Sequence, residues 1–498
     1  MKKILLLSAI GLAALTSCGS LDINEDPNNP RGEDVDVSFI MPSVQNYVAV
    51  TVGDGMYNTA GFFVQYFEQA PVGNQYNTLT WYQLTADDNI SDRWYSNIYA
   101  GALQDIEEIK SKTKNTYDLF AATALRAYAL QLMVDATGEA PYTEANKGAG
   151  NQKPKYDDGK TIYEGVLKEL DDAEAALNPD DVAMEAKDLI ANGNINQWKG
   201  FVNALRVRMY LRMIQGGVDV ANYTAKLKDV VSKGEFFSGN FEYQPGFAEE
   251  TNKSNPWYDT NKRTLGGNNH VAALPIISYM NLTNDPRIAY AFKKATEGDN
   301  AGQYAGILPG THKEEGYNYN DNGLFSVLNY YATKPVEFFT QAELQFLLSE
   351  VYLKYFNDEA KAKAAYEAGV KADFETREIK NGVDEFLAQS RTSWDAQSGN
   401  DAKLKLVYMQ KWVALLYMDH MEAWSEQRRT NVPSWGLTGK EYEADKTKYV
   451  AGDLIYPYRD DLGTKAVPLR VFYSTTSKNL NENIPEQPAL TTPVFWDK

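Results

Sequence analysis

Hydrolysis of a glycosidic bond needs two carboxyl groups about 5–10 Å apart, one to protonate the leaving oxygen and one to attack or to activate water. The sequence offers adjacent acids at Asp87-Asp88, Asp171-Asp172, Glu314-Glu315 and Asp460-Asp461. Yet 67 Asp and Glu in 498 residues place acids side by side by chance, and Asp171-Asp172 falls on the polar side of a capped helix. A Ser-His-Asp set would have to use His270, His312 or His420. The first two stand in Gly/Asn-rich loops, and His420 stands in an apolar helical stretch that suits a packed core residue. Neither H-E-x-x-H nor G-x-S-x-G occurs. A phosphate loop needs G-x-x-x-x-G-K-S/T so that backbone N–H groups can wrap the phosphates. Gly159-Lys160-Thr161 supplies its end, but Pro154 takes the place of the first glycine. Three His and one Cys cannot furnish a zinc cluster, a disulfide framework or an iron–sulfur centre. No catalytic residue, metal or cofactor is expected.

Binding chemistry is better served. Tyrosine alone, at 33 residues, outnumbers the 20 Phe and 9 Trp together. Tyr and Trp are rigid plates with a polar tip, able to cover the C–H face of a sugar ring while its hydroxyls stay hydrogen-bonded. Two clusters stand in stretches without helical period: Tyr76, Trp81 and Tyr82 in one, Trp257, Tyr258, Tyr317 and Tyr319 in the other. These are the candidate ligand-binding residues. Trp94 and Trp198 fall at helical spacing with core residues and are set aside. The net charge of −18, from 49 basic and 67 acidic residues, has the wrong sign for a broad nucleic-acid surface, because phosphates are neutralised by Lys and Arg.

Cys18, the only cysteine, offers a different chemistry. Met1-Lys2-Lys3 precedes an apolar run from Ile4 to Leu15, then Thr16-Ser17-Cys18. A basic start, a short apolar stretch and small residues before a cut describe a secretory signal. The run falls well short of the ~20 residues that span a bilayer. Leu15-Thr16-Ser17-Cys18 also looks like a bacterial lipobox, so residues 1–17 read as a lipoprotein signal peptide and Cys18 as the acylated first residue. More than one acyl chain holds stably to a membrane, while an anionic body stays in water.

The elements that must position these residues are mainly helical. Residues 18–36, rich in Asn, Asp and Pro, read as an extended tether. The rest, 37–498, reads as one body, since no Gly/Ser-rich linker divides it. Apolar spacings of three and four predict helices over about 90–112, around 121–132, 162–177 and 198–209, and a long one from about Lys405 to Arg428. Thr161-x-x-Glu164 and Thr340-x-x-Glu343 fit the capping box of a helix start. Leu348-Ser349-x-x-Tyr352 followed by Ala362-x-x-x-Tyr366 resembles a tetratricopeptide unit. Such pairs must stack, because one pair cannot bury its own face. Loop-rich insertions near 53–83 and 236–335 carry the two aromatic clusters, and loops of that length in a compact body are usually functional.

Taken in order, short blocks of this sequence resemble the SusD/RagB family of outer-membrane nutrient-binding lipoproteins, most closely its SusD-like subgroup. They are Leu21–Pro30, Gly138-Glu139-Ala140-Pro141-Tyr142-Thr143-Glu144-Ala145, and Trp198–Arg208. They continue with Asn284-Asp285-Pro286-Arg287, Phe339–Glu343, Gln410-Lys411-Trp412 and Glu422–Pro433. A last block, Pro468–Tyr473, departs from the pattern where Ser474 follows in place of a proline. The resemblance implies four tetratricopeptide-like helix pairs and a loop-rich half that binds ligand. It implies a partner, a SusC-like TonB-dependent transporter, and an oligosaccharide or other nutrient bound without catalysis at the outer-membrane surface. It also implies scaffold roles for Asp285, Glu343, Arg428 and Arg429. Two other readings compete with the binding protein: a surface-anchored α-helical glycoside hydrolase or lyase, and a structural partner of the transporter with no ligand of its own.

Overall fold

The computed structural model describes residues 35–181, 184, 186–317 and 319–497. The signal segment, Cys18 and the Leu21–Pro30 block lie outside the described residues. The molecule is mainly α-helical, with four two-stranded sheets. Helix α1 (Val37–Val50) runs through a wider π-helical stretch, Thr51–Met56, into α2 (Tyr57–Phe63). A short helix, Asp92–Tyr95, likewise widens over Ser96–Ala102 before α3 (Leu103–Lys112). Gly55 permits the first widened segment to approach the Asp92–Tyr95 helix, since a Cβ there would fall 2.4 Å from Trp94 Nε1.

Four helix pairs follow. They are α4 (Thr116–Thr137) with α5 (Gly159–Ala175), and α6 (Ile195–Gln215) with α7 (Val220–Lys233). Then come α8 (Gln341–Val351) with α9 (Glu359–Thr376), and α10 (Asn400–Leu415) with α11 (His420–Thr430). The 340–372 repeat is such a pair. Ala362 and Tyr366 are buried against it, and Ser349 Oγ donates to the Ala362 carbonyl at 2.7 Å. Most of these helices lack a clean amphipathic stripe because they are covered on several sides. α6 buries Trp198 and Phe201 and also Arg206, Arg208 and Arg212.

Those arginines are the scaffold's fasteners. Arg212 bonds Asp135 of α4 at 2.6 Å and Glu422 of α11 at 2.6 Å. Arg208 bonds Glu343 of α8 at 2.6 Å, and Arg429 grips Glu350 of α8 through both guanidinium nitrogens, at 2.9 and 2.5 Å. Arg287 holds Asp285 and also reaches Asp373 of α9 at 2.8 Å and Gln410 of α10 at 2.6 Å. Arg428 lies between the Trp424 and Trp496 rings, 3.8 and 4.7 Å from their centroids. Asp285, Glu343, Arg428 and Arg429 thus join elements inside the molecule. Asp135 is the hub, accepting also from Gln131, Tyr163 and Trp496 at 2.5–2.8 Å.

Four expectations need correction. Residues 53–63 are helical rather than loop, because α2 is buried on every side and its Gly, Asn and Thr give no period. The helix predicted from Lys405 to Arg428 is two, broken after Leu415. Apolar residues continue through the turn, where Tyr417 adopts φ 70° and its N–H donates to His420 Nε2 at 3.0 Å. The helix start assigned to Thr161 lies earlier, at Asp158, which accepts from the Thr161 N–H at 3.0 Å. Thr340 does cap α8, accepting from Glu343 N at 3.0 Å, but the Glu343 carboxylate turns to Arg208 instead of closing the box. Ser474, where the sequence departs from the family pattern, is itself a cap: its Oγ accepts from Ser477 N at 3.0 Å to start the helix Thr475–Leu480.

Candidate functional site

Strand β1 (Phe67–Gln69) pairs antiparallel with β5 (His270–Ala272), Phe67 opposite Ala272 and Gln69 opposite His270. β2–β4 are Glu139–Pro141, Tyr156–Asp158 and Phe241–Tyr243. The β1–β5 pairing stitches the two aromatic insertions into one surface. Tyr76 adds a second stitch, its hydroxyl donating to Asn261 Oδ1 at 2.6 Å.

Trp81 lies at the meeting point of three loops. Its indole N–H donates to the His312 carbonyl at 3.2 Å, and its own carbonyl accepts from Asp461 N at 2.9 Å. The Arg459 guanidinium covers its face, 3.9 Å from the ring centroid. Arg459 is held there by Asp461 at 2.8 Å and Glu314 at 3.6 Å. Trp81 is therefore a capped plate, 8% exposed. Tyr317 and Tyr319 stand beside it on the loop that follows His312. Their rings are 5.9 Å apart, and the Tyr317 ring meets that of Tyr458 edge-on at 5.1 Å. Lys440 lies 5.6 Å over Tyr458. Tyr317, Tyr319, Tyr458 and Arg459 are half-buried, so each keeps a surface open to solvent. Burial, with the carboxylate of Glu443 nearby, pushes the Tyr319 hydroxyl up to about 12, and burial with the positive Lys313 pulls His312 down to about 4. The face is uncharged on its rings at neutral pH, with Arg459, Lys440 and Glu443 at its margin.

Not every predicted residue reaches that surface. Tyr82 turns inward with φ 51° and packs its ring 5.9 Å from Phe63. Trp257 is enclosed, stacked on Tyr330 at 4.9 Å and tilted against Tyr57 at 5.3 Å. Tyr258 stands apart, its hydroxyl donating to Glu249 at 2.9 Å. Tyr82 and Trp257 are corrections: core packing buries both rings. The residues missed are Tyr458 and Arg459. Tyr456-Pro457-Tyr458-Arg459-Asp460-Asp461 sets an aromatic and an arginine beside the acids, but nothing local ties that stretch to Trp81. Two of the histidines are held in the interior: His420 stacks on Tyr57 at 3.5 Å, and His270 bonds Asn58 at 2.8 Å and Tyr330 at 3.1 Å.

A cavity of about 440 Å³ lies near Tyr258, lined by Asp54, Arg93, Tyr243, Phe247, Asp259 and Thr260 among others. Asp54 accepts from Thr260 Oγ1 at 3.0 Å, and burial raises its pKa from 3.8 to about 6. An acid raised on folding binds its proton more tightly in the folded state, so stability falls as pH climbs from about 4 to about 6 and then levels. Asp54→Asn keeps an acceptor for Thr260 without the charge. It should raise stability by on the order of 2 kcal/mol at pH 7.5 and leave it unchanged at pH 4. Urea titrations at the two pH values check this; an equal effect at both would mean the carboxyl is already neutral at pH 7.5.

Residues 27–457 match the family model described as SusD-like, starch-binding and associating with the outer membrane. The chain belongs to the SusD-like family. No protein of curated function matches the sequence. Among solved structures, a SusD homologue from Bacteroides uniformis superposes with a TM-score of 0.73 at 23% identity, over 92% of this chain and 99% of that one. A chitin-binding SusD homologue from Flavobacterium johnsoniae gives 0.73 at 21% identity, over 92% and 97%. The helical, tetratricopeptide-like architecture of this SusD-like chain is that of its structural neighbours. Membership places it among carbohydrate-binding proteins rather than enzymes, and in a family associated with the outer membrane.

Proposed function

We propose that this SusD-like chain binds an oligosaccharide at the cell surface, is held there by lipid on Cys18, and passes its ligand unaltered to a SusC-like TonB-dependent transporter. The observation that carries the binding reading is the half-exposed aromatic face of Tyr317, Tyr319 and Tyr458 beside the Arg459-capped Trp81. Rings there can take sugar C–H faces, and Arg459, Lys440 and Glu443 can meet hydroxyls. The family description and the chitin-binding neighbour support a glycan as the ligand class. Two of the nearby acids are neutralised by an arginine. Glu314 and Asp461 are tied to Arg459, and Asp460 Oδ1 accepts the N–H groups of Leu462 and Gly463 at 3.2 and 3.3 Å. The lipobox supports the anchor, and the absence among the described residues of any helix long and apolar enough to cross a membrane fits that mode of attachment.

Calorimetry of the mature protein with malto- and chito-oligosaccharides tests the site. Tyr317→Ala should weaken binding by on the order of 1–2 kcal/mol with little change in melting temperature. Unchanged affinity for a sugar that wild type binds would remove Tyr317 from the site. Mild detergent extraction tests the rest, since wild type should copurify with a large β-barrel and Cys18→Ala should leave the membrane.

A further inference from the structure

A larger cavity lies elsewhere. It is an open groove of about 680 Å³ between the Asp92–Ala102 segment, the β2–β3 hairpin and the C-terminal stretch Ser474–Asn481. It shares no lining residue with the Tyr317 face. Its aromatic wall is a stepped row of three tyrosines. Tyr99 and Tyr95 stack at 5.5 Å and 23°, and Tyr95 and Tyr156 at 6.2 Å and 19°. Tyr95 is buried in the middle, while Tyr99 and Tyr156 are half-buried and leave part of each ring in the groove. The row is fixed in place. The Tyr99 hydroxyl donates to the Pro141 carbonyl at 2.9 Å, and Asn146 donates to the Tyr99 carbonyl at 2.7 Å.

The facing side is polar without being charged. Gln152 supplies an amide, Ser477 a hydroxyl and Asn146 a buried Oδ1 with no partner, while Asn151 and Asn481 already donate to Glu144 at 3.1 Å and to the Pro154 carbonyl at 2.8 Å. The charged residues of the lining are Asp92 and Arg93, at one end, and Asp92 is taken by Thr476 Oγ1 at 2.7 Å. An anionic ligand would find one arginine. Aromatic rings on one side and amides and hydroxyls on the other match a molecule with alternating C–H faces and hydroxyl edges. We propose that this groove is a second binding site, separate from the Tyr317 face, for a short neutral oligosaccharide.

Hydroxyl-radical footprinting of the mature protein, with chitotetraose, maltotetraose or polygalacturonate as the probe, reads tyrosine faces one by one. A neutral tetrasaccharide should protect Tyr99 and Tyr156, and polygalacturonate should not. Ala100, exposed on the groove wall and bonded through no side-chain group, offers a blocking variant. Ala100→Trp should abolish protection of the two tyrosines and leave protection at Tyr317 as in wild type. If a sugar protects Tyr317 and Tyr319 and not Tyr99 and Tyr156, the groove site is wrong and the aromatic face stands. Protection at the groove alone would keep the groove and remove the face. Protection of neither surface by either neutral sugar would overturn both. Protection of the groove only in complex with the copurified β-barrel would make it a docking contact and overturn the sugar assignment.

Discussion

Arg212→Met should cost about 3–5 kcal/mol of folding stability, the largest loss expected from any single substitution in the scaffold. Removing one partner of a buried ion pair leaves the other charges without compensation, and that is costlier than never having buried them. Here two acids lose a partner at once, Asp135 and Glu422, on helices of different pairs, and Glu422 keeps only Arg208 at 3.2 Å. The Arg212 side chain is fully buried, so water cannot substitute for it. Methionine matches the length of the stem and isolates the electrostatic part of the loss. Urea unfolding at neutral pH measures it. A loss under 1 kcal/mol would show that Asp135 is adequately served by its bonds from Gln131, Tyr163 and Trp496.

Trp81→Ala carries the second large effect, on stability and ligand binding together. Emptying a site this well enclosed costs about 3 kcal/mol. It also removes the plate beneath Arg459 and the hydrogen bond to His312, which together hold the Tyr458 and Tyr317 loops in register. Affinity for an oligosaccharide should therefore fall along with the melting temperature. Trp81→Phe separates the roles. It keeps a plate under the guanidinium and loses only the indole N–H bond, a change of about 1 kcal/mol, and binding should survive. Loss of binding in Trp81→Phe without loss of stability would mean that the indole itself meets the ligand.

Much of this is legible in the sequence. Helix pairs announced themselves through Ala362 and Tyr366, and the core roles of Trp94 and Trp198 followed from spacing, since both side chains are buried. Arg428, Arg429, Asp285 and Glu343 could be taken as scaffold residues from the resemblance. What failed to show was depth within the loops. Tyr82 and Trp257 have the same local composition as Tyr317 and Tyr319, and only tertiary packing decides which ring ends with a face in water. Tyr458 and Arg459 were invisible as site residues because they stand nearly 380 positions after Trp81 in the chain. No local pattern records a meeting at that distance.

That separation has a consequence in time. Helix pairs close over short stretches of chain and can form early, whereas pairings between distant segments wait on loop closure. The stitch between β1 and β5 requires some two hundred residues to have followed Phe67, and the cap on Trp81 requires Arg459, near the end of the chain. On a chain emerging N-terminus first, the face around Trp81 is thus completed late. Molecules cut short before Arg459 would lack the guanidinium that covers Trp81 and present no finished face.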